Sequence, residues 1–224
     1  LFPEYCNLFG DYGNMMYLKA CLPDAEFVET SMNSEPLFLT ERPNLIYMGP
    51  MTERAQEKVI RKLPPYKERI EELIQDKVCF LFTGNAMEVL FREIIDGHRV
   101  IPGLNIFDFS AVRDYTHRFN GNFYGEFNER KVVGCKSQFT MAYGANDNCY
   151  FAKTIRGIGI NKSSRFEGVR RRNFIGTYLI GPLLVMNTSF TQYLMYHMGV
   201  EKPKLAFPEA MKEAPLVLHL TISS

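Results

Sequence analysis

Apolar and polar positions along this chain fall into two textures. Through much of the first two-thirds, short solid runs of apolar side chains alternate with stretches of helical period. Leu45 to Met48 and Val78 to Phe82 are apolar at every position, as strands covered on both faces are. Ala25 to Thr30 reads as a further strand, with apolar and β-branched residues that follow Pro and Asp. Leu1-Phe2-Pro3 reads as the end of a strand, and because the chain opens inside an apolar segment, a few residues of that strand are expected upstream. The turn-rich stretch from Asn7 to Asn14 leads into a predicted helix over Met15 to Leu22. Thr52 to Asp76 is long and charged, and Pro64-Pro65 divides it into two predicted helices. After Phe82 comes a tight turn, Thr83-Gly84-Asn85. A helix is predicted from Asn85 to Ile95, because Asn85 and Glu88 have the spacing of a capping box.

From Pro102 to Ile160 the texture becomes short alternating runs broken by Gly and Asn, which predicts antiparallel strands and hairpins. Asn173 to Leu179 reads as another strand and Pro182 to Met198 as the last core helix. The whole predicts one α/β domain over residues 1–199. Its central sheet is mostly parallel and flanked by helices, with added antiparallel strands, and residues 200–224 form a C-terminal tail.

Composition narrows the chemistry. The 224 residues are 46% hydrophobic, ample for a full core, and 26 Lys+Arg against 25 Asp+Glu leave a net charge of +1. That balance argues against capture of nucleic acid or an anionic membrane. No apolar run reaches the length that spans a bilayer, so membrane insertion is not expected. Five cysteines without CxxC spacing predict reduced thiols in a cytoplasmic protein. Four scattered histidines give no metal-ligand spacing, and neither a metal nor another cofactor is expected.

Two groups of residues could carry chemistry. The strand–turn–helix pattern around Gly84 is the kind of elbow that presents a nucleophile at its central residue, but glycine has no atom that can attack. Thr83 beside it should point to the other side of the elbow. Cys135 is better read as an incidental thiol than as a reactive one. Arg165 and Arg170, near a Gly- and Ser-containing turn, together with Asp11 and Tyr12 at a helix start, form a candidate anion site. The competing reading of the arginines is a solvated turn.

Several motifs resemble the cobyric-acid-synthase-like class I glutamine amidotransferases, and most of all the glutaminase subunit of lipid II isoglutaminyl synthase. Asn7, Gly10, Asp11, Gly13 and Asn14 match the opening motif. Gly49, Arg54 and Gln56 are what remains of a glycine-rich stretch. Val133-Gly134 opens a segment that departs at Cys135, Lys136, Ser137 and Gln138. Glu167-Gly168-Val169 and Gly176 to Leu184 match apart from Ile180. The resemblance covers residues 1–199 and implies a flavodoxin-like fold. It also implies a partner, an ATP-dependent Mur-ligase-like or synthetase subunit, in cell-wall or cobalamin-type amidation.

Active members hydrolyse glutamine with a cysteine on the elbow and a histidine before Gly-Pro. By resemblance, Gly84 stands at the cysteine and Ile180 at the histidine. Gly49, Pro50, Thr83, Asn85 and Glu88 mark a vestigial pocket, in which Pro50 has no N–H to offer an oxyanion. The resemblance therefore points to a protein without glutaminase chemistry, serving as a subunit or scaffold. The alternatives are a hydrolase with a rearranged site, or a small-molecule sensor using the emptied pocket.

Overall fold

The solid apolar runs pair with one another, as strands without a polar face must. In the computed structural model, which describes residues 1–208, β1 (Leu45–Met48) lies parallel to a second strand, Cys79–Thr83, with Ile46 opposite Phe80 and Met48 opposite Phe82. Ahead of β1 lies helix α1 (Gly13–Cys21). Between the two strands run α2 (Glu53–Lys62), a 3₁₀ turn at Pro64–Tyr66, and α3 (Lys67–Gln75), so the two prolines divide the helices as predicted. Thr52 Oγ1 caps α2 by accepting from Ala55 N at 3.2 Å, a contact worth about 1 kcal/mol. Ala55, Gln56, Val59 and Ile60 form the buried face of α2.

The strand Cys79–Thr83 is β2, and beyond it the chain departs from the expected helix. No α-helix runs from Asn85 to Ile95; a 3₁₀ turn spans Gly84–Leu90 and the chain then enters β3 (Phe91–Asp96). The expected capping box fails because both side chains are used elsewhere. Asn85 binds the backbone of Met51, and Glu88 turns inward to Gln56 and Tyr178. Phe91, Ile94 and Ile95 also favour a pleated strand over a helix.

The chain then runs through β4 (Arg99–Pro102), β5 (Phe107–Arg113), β6 (Phe119–Phe127), β7 (Arg130–Gln138), β8 (Thr140–Tyr143), β9 (Ala152–Arg156), β10 (Phe166–Glu167), β11 (Val169–Arg171) and β12 (Phe174–Thr177). Among the described residues these form three four-stranded sheets, in the orders β1-β2-β12-β11, β10-β9-β6-β7 and β4-β3-β5-β8. The first holds the parallel pairs β1/β2 and β2/β12, closed by antiparallel β11. The other two are the expected antiparallel additions, apart from the parallel pair β3/β5. Phe80, Phe82, Phe107 and Phe174 pack ring to ring on one face of the first sheet, with centroids 4.8–5.9 Å apart. The other face meets α1 and the last helices through Leu18, Leu81, Phe190 and Leu194.

Three further expectations are corrected. Leu1 to Pro3 is not a strand; Phe2 has φ +54° and its N–H donates to Thr30 O at 2.7 Å. Ala25 to Thr30 is likewise not a strand; most of it is exposed, and its buried end, Thr30, meets Phe2 through that one backbone bond. The last helix is two, α4 (Leu183–Met186) and α5 (Thr188–His197). Asn187 breaks it and uses its side chain to bind Val133 and Leu183. The start of the tail lies on the body, where Tyr17 OH donates to Ala206 O; residues 209–224 lie outside the described residues. Among the described residues no helix is long and apolar enough to cross a membrane.

Candidate functional site

The elbow forms where β2 ends. Gly84 has φ +59°, a conformation glycine adopts without penalty. A Cβ added there would meet Pro50 Cβ at 2.5 Å, Pro50 Cα at 3.3 Å and Ile180 Cγ2 at 3.5 Å. The space above the elbow is thus filled by a proline ring from the loop after β1 and a branched side chain from the loop after β12. Ile180 is held there by a two-way backbone pairing with Cys135, at 2.9 and 3.3 Å. Cys135 itself is exposed.

Beside this plug is a cleft of about 140 Å³. Pro50, Gly84, Asn85, Glu88 and Ile180 line it, so the structure gathers these sequence-predicted residues. Gly49 and Thr83 do not line it. Gly49 is needed because a side chain there would run into the Cys6 carbonyl, and Thr83 faces inward, away from the cleft.

Glu88, at the cleft floor, is fully buried. Its Oε2 accepts from Gln56 Nε2 at 2.8 Å and its Oε1 from Tyr178 OH at 2.8 Å. Burial raises its pKa to about 7, against the opposing pull of these hydrogen bonds and of Arg113. Gln56 in turn accepts from Arg113 at 2.7 Å, and Arg113 pairs with Glu57 and Asp96. Gln56 is legible in the sequence as a retained motif residue. Arg113, far along the chain from the elbow turn, gives no sequence signal.

Beneath the elbow lies a second polar group. Asp11 is fully buried and accepts from Tyr47 OH, Thr83 Oγ1 and Gly181 N. Burial raises its pKa, again against these hydrogen bonds. A third is the buried ion pair of Lys136 with Glu167, whose other oxygen accepts from Thr177 Oγ1 and Tyr178 N at 2.8 and 2.7 Å. Burial lowers the Lys136 pKa and the charge of Glu167 counters it. In the sequence, position 136 stands out only as a departure from the motif, with no sign that its charge meets Glu167.

The candidate anion site is not assembled. Asp11 is spent in the interior, while Tyr12 sits at the surface and donates to Glu29 at 2.8 Å. Arg170 lies in β11, binds Tyr193 OH at 2.9 Å and stacks on Phe127, and Arg165 is exposed elsewhere. The arginine run is therefore part strand and part turn, with Arg170 and Arg171 lying over aromatic rings.

A parallel core with an elbow at the end of β2, an opening loop beneath it and a Gly-Pro loop facing it gives a flavodoxin-like architecture, the fold also seen in a solved glutamine amidotransferase. Solved structures share this fold: PurLQS of Thermotoga maritima at TM-score 0.54 and 11% identity, covering 80% of this chain and 84% of that one, and a glutamine amidotransferase at 0.52 and 13%, covering 86% and 96%. The chain is related to subunit GatD of lipid II isoglutaminyl synthase (glutamine-hydrolyzing). It is 26% identical to that of Staphylococcus aureus (strain N315) over 194 residues, 84% of this chain and 78% of the relative. It is 22% identical over 200 residues to that of Streptococcus pneumoniae (strain ATCC BAA-255 / R6), 87% and 77% respectively. No family model matches the chain.

Proposed function

We propose that this protein is a non-catalytic, cytoplasmic subunit of an amidating complex, a glutamine-amidotransferase-like domain that accompanies an ATP-dependent ligase of Mur-ligase or synthetase type. The observation that carries the reading is the packing at the elbow. Gly84 supplies no nucleophile, and the room a nucleophile's Cβ would need is taken by Pro50 at 2.5 Å. Ile180, at the place of a general base, cannot move a proton. With both partners of a nucleophile–base pair absent, only a small fraction of an active enzyme's rate would remain. The pathway follows the relatives, whose name places them in a synthase acting on lipid II; cell-wall amidation is favoured over cobalamin-type amidation on that ground. The unpaired cysteines fit a reducing compartment.

The test is affinity purification of the tagged protein from its native cells at low and high salt. A stoichiometric ATP-dependent ligase is expected to co-purify with it. A chain that purifies alone, or one that releases ammonia from glutamine, contradicts the proposal.

A further inference from the structure

Away from the elbow, a cavity of about 640 Å³ opens between the hairpin turn joining β6 to β7, the loop that leads into β9, and β11. Its walls are fixed. Asn146, which is buried, ties the loop down by donating to Phe166 O and Gly168 O at 3.0 and 3.1 Å. Arg170 donates to Asn128 Oδ1 at 3.2 Å and to Tyr193 OH at 2.9 Å and stacks on Phe127, which holds β11 to the hairpin turn. The ring of Tyr150 stacks on that of Phe166 with centroids 4.6 Å apart, and the buried Phe151 completes an aromatic wall.

Four charged side chains in this lining are unpaired. Lys153 of β9, Arg172 of the turn after β11, Glu126 of β6 and Glu129 of the hairpin turn are all exposed to solvent. None of the four makes a side-chain hydrogen bond or ion pair with another described residue. Glu126 stands opposite Lys131 on one neighbouring strand and Lys153 on the other, positions at which opposite charges ordinarily meet, yet it pairs with neither. Elsewhere on the surface comparable charges do pair: Glu57 with Arg61 and Arg99, and Arg92 with Glu93 and Asp108. Arg170 adds a third cation, and its two side-chain bonds leave further N–H groups of its guanidinium to donate.

We infer that this cavity binds a small molecule carrying both charges, an amino acid or short peptide with free ends. Its carboxylate goes to Lys153 and Arg172, and its ammonium to Glu126 and Glu129. A simple anion would meet the cations and be repelled by the two carboxylates, and a simple cation would fare the reverse; a zwitterion satisfies both sets. Three cations against two carboxylates disfavour a basic peptide. The volume lies within the range of small-molecule sites, roughly 300–1,000 Å³, and leaves a side chain room against Tyr150. Because the charged groups are exposed, a ligand reaches them without any rearrangement of the fold.

The inference goes beyond the subunit reading. No residue of this cavity lines the elbow cleft, and the site is the same whether or not a ligase accompanies the chain. Its contacts are exposed ion pairs, so binding is weakened by salt.

The experiment is a titration of the isotope-labelled protein with the dipeptide glycylleucine, followed by backbone amide shifts at low and high salt. N-acetylglycylleucine, which lacks the ammonium, and glycylleucinamide, which lacks the carboxylate, are the controls. Saturable shifts centred on residues 126–129, 148–153 and 170–172 are expected with glycylleucine. An exposed ion pair is worth up to about fivefold in affinity, so each control, losing two of them, should bind about tenfold more weakly. Lys153→Gln and Glu129→Gln, at exposed positions without partners and safe for folding, should each weaken glycylleucine about threefold. Lys153→Gln should also narrow the gap to glycylleucinamide, and Glu129→Gln the gap to the acetylated control. No saturable shifts in these segments, a control that binds as tightly as glycylleucine, or an unchanged affinity in either variant would overturn the inference.

Discussion

Pro50 Cβ lies 2.5 Å from where a Cβ on Gly84 would be, closer than two such carbons can approach. The two residues come from different strand ends, and Pro50 packs into the room a side chain on Gly84 would need. Pro50 fits because Gly84 has no side chain, and Gly84 tolerates φ +59° because it is glycine. Together with Ile180 they form a closed packing unit where the family resemblance calls for a reactive thiol.

Replacing Gly84 should therefore be costly in two separable parts. Gly84→Cys is expected to lose about 1–3 kcal/mol to overpacking against Pro50 and roughly 1–2 kcal/mol to the left-handed backbone. Adding Pro50→Gly should return the first part only. Urea unfolding of the single and double variants checks this; equal stability of Gly84→Cys and wild type would contradict it.

Lys136 and Glu167 are both buried, with side-chain exposures of 1% and 0%. Lys136→Met leaves the carboxylate without its cation and should cost about 3–5 kcal/mol. Lys136→Met combined with Glu167→Gln should cost clearly less, because no uncompensated charge remains. A double-mutant cycle in denaturant reads the coupling.

Glu88 gives a pH dependence of known sign. Its pKa is about 7 folded against an ordinary 4.5, so between these values the folded state holds more protons than the unfolded one. Its contribution to stability is complete below about pH 4.5 and is lost as pH rises through 7, amounting to a few kcal/mol at most. Wild type should thus lose stability relative to Glu88→Gln between pH 5 and 8. A parallel pH profile of the two proteins would show that Glu88 does not titrate there.

Asp11 gathers the opening loop, β1, the end of β2 and the Gly181 turn onto one carboxyl group. Asp11→Ala should cost about 1–3 kcal/mol, because the hydroxyls of Tyr47 and Thr83 lose their acceptor. Hydrogen exchange should show the Gly181 amide opening first. Unchanged protection there would separate Asp11 from the elbow.

Much of the core is legible in the sequence because its strands are apolar on both faces: β1, β2 and β12 could hardly be anything else. The segment after Gly84 misleads for a definite reason. Asn85 and Glu88 have capping-box spacing, but tertiary partners, the Met51 backbone for one and Gln56 with Tyr178 for the other, win over the local bonds. The same holds at Asn187, whose side chain breaks a helix in order to join β7. At the site, the motif positions are readable residue by residue. Their mutual fit is not, since the contact between Pro50 and Gly84 and the pairing of Lys136 with Glu167 depend on where distant segments meet.

The central claim concerns covalent chemistry at the elbow, and the most direct measurement is the intact mass of this chain after an electrophilic glutamine analogue is added to the complex purified from native cells. The account predicts no adduct on this chain, whatever its partner does. A stoichiometric adduct on this chain, mapped to any of its side chains and blocked by excess glutamine, would contradict it.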